Sequence, residues 1–183
     1  TTLCNTVLDN PSRKTEESLA AEILEFLESD TLCYRMQEPE ELAELQARSW
    51  DPLLRWFEES RQPDIPSLEN LASKHFRPSL ALPFGKLGHR LSRRTFAGLL
   101  YATESLKSAV LCLAAVSRVV DVDQAVALSR LETEFQTSRW GSVEWAHDLD
   151  REQLRSRVAA ALLLVQLTGE SSSTVHKATA AKA

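Results

Sequence analysis

Between Phe96 and Leu113 the side chains Phe96, Leu99, Thr103, Leu106, Val110 and Leu113 recur at every third or fourth position. That is the repeat of one helical face, and a stripe of this length needs other elements to cover it. Ser92 stands where an N-cap belongs, so the spacing predicts one long helix from there to about Val116. No segment alternates apolar and polar residues as a paired strand would. The chain therefore reads as all-α, a multi-helix bundle.

The remaining helices follow from the same periodicity. Leu3, Val7 and Leu8 mark a short first helix, stopped by Asn10-Pro11. Leu19, Ile23, Phe26 and Leu27 share one face of a helix over 15–28, with Glu16 and Glu17 at its positive end. Residues 31–36, TLCYRM, are expected to be extended. A third helix is expected from Pro39 to about Arg48, and Asp51-Pro52 reads as a cap and first-turn proline opening another. Four prolines make 61–83 irregular, and a short helix is expected over 84–91. Asp121 is expected to cap a helix over 122–137, with Gly141 separating it from Trp145. Asp150-x-x-Gln153 has the spacing of a capping box for a last long helix ended by Gly169. Residues 1–170 thus form one helical domain, and 171–183 are expected to be a disordered tail.

Composition narrows the function. Twenty-one basic against 26 acidic residues leave a net charge of −5, which argues against a partner bound through phosphate neutralisation. No apolar run reaches the length of a membrane span. Cys4, Cys33 and Cys112 form no CxxC pair and fit a reducing compartment. The Walker spacing is missing from GKLGHR at 85–90, and no GxSxG occurs. Lys86, His89, Arg90, Arg93 and Arg94 cluster, as a solvated face or as a contact for an acidic partner. Neither catalytic residues nor a cofactor site can be assigned, and no small-molecule substrate is implied.

The stretch RLETEFQTSRWGSVEWAHD, residues 130–148, concentrates functional groups. Glu144 and His147 lie one helical turn apart, as in half of a di-iron site. Such sites need a second such motif plus two more carboxylates, and the sequence has no second ExxH. A metal-dependent helical-bundle enzyme using Glu144, His147 and Asp148 is the alternative reading; no metal site is assigned. Placed on a helical wheel, Leu128, Leu131 and Phe135 mark the buried face. Glu132 borders that face and Glu134 points to solvent. A carboxylate beside an apolar face needs a partner, either internal (Arg130, Arg139 or Arg155) or on another protein. Core packing is the simplest role for each tryptophan, with Trp56 a core anchor and Trp145 packed through Leu149. Trp140, at a helix end, is placed to project, and tryptophan is enriched in interface hot spots.

The segments LCNTVLDNP, DTLCYR, EPEELAELQARSWDPLLRW, LKSAVL, QAVALSRLETEFQTSRWGSVEWAHD and LRSRVAAALLL resemble, in order, the ATP synthase assembly factor 2 family. These are chaperones of the α subunit of the F(1) sector of mitochondrial ATP synthase. The resemblance implies the family's helical C-terminal domain, with its N-terminal β-rich domain outside these 183 residues. It also implies a mitochondrial matrix protein that is not an enzyme. Such a protein would bind the unassembled α subunit and shield it until the β subunit arrives. The partner surface is expected at Glu132, Glu134, Trp140, Glu144, His147 and Asp148.

Overall fold

The structure, a computed structural model, describes residues 2–59, 92–143 and 145–170. Among these residues every regular element is helical, so the fold is all-α. In chain order the elements are α1 (Thr2–Asp9), α2 (Glu16–Glu28), a 3-10 turn (Thr31–Cys33), α3 (Glu40–Glu59), α4 (Arg93–Leu106), α5 (Ala109–Val116), α6 (Val122–Ser129), α7 (Leu131–Trp140) and α8 (Ala146–Glu170). The expectations over 60–91 and 171–183 fall outside the described residues.

Helix α4 is the hub. It buries Phe96, Leu99, Leu100, Ala102, Thr103 and Leu106 around most of its circumference, as a helix does only when surrounded. α2 covers it with Leu19, Ile23 and Leu27, while Val158, Ala161 and Val165 of α8 form the most extensive pairing. The α4–α8 approach is closest at Gly98. A Cβ there would lie 2.9 Å from Val165 Cγ2 and 3.3 Å from the Ala161 carbonyl oxygen. Gly98→Val is expected to push the two helices apart at a cost of about 1–3 kcal/mol. The midpoint of urea unfolding measures it, and an unchanged midpoint would show that the crossing has room to spare.

The sequence reading misplaces several helix joints. The expected single helix over 92–116 is two, α4 and α5, broken where Lys107 adopts φ 57. The Ser108 side chain caps α5 by accepting from Leu111 N–H. A remote residue completes the joint. Asp30, fully buried, accepts from Leu32 N–H through Oδ1 and from Val110 N–H through Oδ2, both at 3.0 Å. Burial pushes its carboxyl above the usual carboxylate range, and the donors of Val110, Ser108 and Leu32 pull against that rise. The Thr31 hydroxyl donates to the Lys107 carbonyl at 2.7 Å. The apolar stripe cannot reveal this break, because its members are inward on both helices or packed against the core.

The converse occurs at Pro52. It was expected to start a helix but lies inside α3, which runs unbroken from Glu40 to Glu59. Proline lacks the N–H that would bond the carbonyl of Arg48. Arg48 and Pro52 are both on the exposed side, so water can take that carbonyl. Meanwhile Leu42, Gln46, Trp50, Leu53, Leu54 and Phe57 hold the inner face on both sides of the proline. Asp51 does not cap; it pairs with Arg35 at 2.6 Å.

Residues 31–33 of the supposed extended stretch form a 3-10 turn capped by Asp30. The helix after Asp121, capped through a reciprocal bond with Gln124 as expected, breaks at Arg130 and resumes as α7. Asp150 does not cap α8, which already starts at Ala146 and continues through Gly169 to Glu170.

Candidate functional site

α7 ends at Trp140, where Gly141 (φ 90) donates its N–H to the Thr137 carbonyl and turns the chain. Trp145 (φ 66) precedes α8. The turn and the first residues of α8 leave Trp140 74%, Val143 64%, Trp145 78% and Leu149 60% exposed. Four large apolar side chains within ten positions make an apolar tip.

Projection of Trp140 agrees with the expectation for a helix end, but packing of Trp145 does not. Trp145 does precede Leu149 at helical spacing, yet Leu149 is itself in solvent. The fully buried side chains of α8 are Val158, Ala161 and Val165, so its first turns extend past the part that meets the core. The tryptophan that anchors the core is Trp50, whose indole N–H donates to the Leu128 carbonyl at 3.1 Å. Trp56, expected as the anchor, is half-buried and packs on the edge of the core. Trp145→Ala is therefore expected to change the unfolding free energy by no more than about 0.5 kcal/mol, the surface scale. A loss of several kcal/mol in chemical denaturation would place the indole inside after all.

Below the tip the carboxylates are individually engaged. Glu132, half-buried, accepts from the amide of buried Gln46 at 2.7 Å, and Gln46 accepts in turn from Met36 N–H at 3.0 Å. None of the three arginines considered as its internal partner takes it. Arg139 pairs with Glu41 at 2.9 Å and Arg155 with Asp123 at 2.6 Å. Arg130 lies 3.6 Å from Glu134, pairs with Asp150, and reaches the His147 carbonyl at 3.4 Å. The wheel placed Glu132 correctly at the edge of the buried face, but only tertiary packing brings the α3 amide there.

The six expected partner residues thus fall into separate groups. Glu132 faces α3, Glu134 lies exposed beside Arg130, and Trp140 stands at the far end of α7. His147 is half-buried and Asp148 exposed in the first turn of α8. Glu144 lies outside the described residues. Among the described residues no three His, Cys, Asp or Glu side chains converge as metal ligands, and no helix is long and apolar enough to cross a membrane.

The model of the ATP12 chaperone protein family matches residues 1–58. The mitochondrial Atp12 protein of Schizosaccharomyces pombe is 27% identical over 172 residues, 90% of this chain and 59% of that protein. Crystal structures of Atp12 from Paracoccus denitrificans and of the Atu1473 protein from Agrobacterium tumefaciens superpose with TM-scores of 0.72 and 0.69. Their identities are 24% and 26%; each alignment covers 91% of this chain, and 71% and 61% of theirs. Over these stretches the chain is similar to ATP12 chaperones. It spans less than two thirds of the length of the fission-yeast Atp12 protein.

Within this bundle, sequence reasoning missed two residues that shape the site. Val143 lay in a turn with no periodicity to mark it. Gln46 looked like an ordinary polar position on α3, although its helical phase with Leu42, Trp50 and Leu53 places it on the inner face. A polar residue in phase with a core stripe is a legible signal, because a buried amide must find partners.

Proposed function

We propose that this chain is an assembly chaperone that binds the unassembled α subunit of F(1)-ATPase in the mitochondrial matrix and keeps it from aggregating until the β subunit pairs with it. The apolar tip carries this reading: Trp140, Val143, Trp145 and Leu149 are each largely exposed within ten positions, on a chain similar to ATP12 chaperones. Large aromatic side chains on a projecting turn supply much contact area with few rotatable bonds, which favours tight and specific association. Glu134, His147 and Asp148 provide a polar margin, and Glu132, bonded to Gln46, adds the part of its carboxylate left exposed at the edge of α7. The mechanism is binding without chemistry: the tip covers apolar surface on the α subunit that the β subunit later covers.

The test is light scattering by purified α subunit of F(1)-ATPase during dilution from denaturant, with and without an equimolar amount of this chain. Suppressed scattering and a saturable complex in titration calorimetry are expected. Equal scattering in both arms and no heat of binding would remove the reading.

A further inference from the structure

Arg130 occupies the single-residue joint between α6 and α7, yet its side chain is only 8% exposed. Burial of a guanidinium is unfavourable unless its donors are matched. The matching groups come from both arms that carry the tip. Glu134, 3.6 Å from Nε, belongs to α7, the arm ending in Trp140. Asp150, paired with Nη1, and the His147 carbonyl, 3.4 Å from Nη2, belong to the start of α8, the arm following Trp145. α7 packs chiefly on α3 and α6, whereas α8 packs chiefly on α4 and α6. The Arg155–Asp123 pair holds α8 to α6 more than a turn beyond Asp150. Arg130 thus ties the start of α7, ten positions before Trp140, to the first turns of α8. Its Nε makes no hydrogen bond among the described residues, so the contacts are arranged around reaching both arms and not around satisfying every donor.

We propose that Arg130 is the positioning residue of the client-binding tip, clamping α7 to the first turns of α8 so that Trp140 and Trp145 are held in one geometry before the client arrives. The proposal rests on the reading of the tip as the α-subunit surface. A tip ordered in advance loses less conformational freedom on binding, so the clamp acts on affinity more than on the stability of the bundle.

Asp150 offers the way to test it, because its side chain is 69% exposed and can be changed without opening the core. Asp150→Lys is expected to raise hydrogen exchange of the Ala146 and Leu149 amides, which donate to the Val143 and Trp145 carbonyls, about tenfold, and by more than any rise at the amides of the α4–α8 core. Affinity for purified α subunit of F(1)-ATPase is expected to fall about tenfold as preorganisation is lost. Asp150→Glu, which keeps the carboxylate, is expected to behave as the unmodified chain in both measurements. Arg130→Lys, with one ammonium in place of a three-nitrogen fork, should follow Asp150→Lys. Unchanged exchange in Asp150→Lys overturns the proposal, whatever happens to affinity: a fall in affinity alone would make Asp150 a direct contact. If the unmodified chain does not bind the α subunit, the functional reading fails, and the exchange measurement still decides whether Arg130 orders the tip.

Discussion

Asp30→Ala is expected to lower the free energy of unfolding by about 3 kcal/mol or more, since it strands two buried backbone N–H groups that each cost about 1–3 kcal/mol when left unpaired. One is Leu32 N–H, in the 3-10 turn; the other is Val110 N–H, in the first turn of α5. The bond to Val110 spans 80 positions of sequence, so its loss frees the joint between α4 and α5 from the loop that fixes it. Asp30→Asn keeps one acceptor and presents an amide donor to the other N–H, so it should lose less than alanine but remain clearly destabilised. Urea unfolding of the two variants checks both the size and the order. Equal stability of Asp30→Ala and the unmodified chain would mean that water replaces the carboxylate without penalty.

The double variant Trp140→Ala, Trp145→Ala is expected to weaken α-subunit binding by about 3 kcal/mol, roughly a hundredfold or more. Each side chain is on the hot-spot scale of about 2 kcal/mol, and neighbours on one turn do not add fully. Because both indoles are largely in solvent, the melting curve should move little. This separates the pair from Trp50, which is almost fully buried and whose truncation would unfold the core. Titration calorimetry with the α subunit reads the affinity, and binding as tight as that of the unmodified chain would take the tip out of the interface.

How far the residues disclosed the structure depends on the kind of information each feature needs. Helical phase is local, so the buried faces of α2 and α4 could be read directly from Leu19, Ile23 and Leu27, or from Phe96, Leu99 and Leu106. Breaks are not local. Lys107 turns the chain because Asp30 and Thr31 hold the joint from a distance, and Pro52 fails to turn it because the inner face of α3 continues past it. The same division runs through the candidate site. Trp140 projects because a helix ends there, which sequence can show. Trp145 projects because α8 outruns the core, and Glu132 meets Gln46 because α3 passes beside α7, which only packing decides.

The pairing of α4 with α8 bears on how the chain is made. Gly98 lies against Val165 and Ala161, more than sixty positions later, so the wall of the hub leaves the ribosome well after α4 itself. Until then α4 has α2 on one flank and an uncovered apolar flank where Val158, Ala161 and Val165 will lie. Such transiently bare surface invites aggregation during synthesis. The chain would thus pass, during its own synthesis, through the hazard that its proposed function relieves in an unassembled subunit.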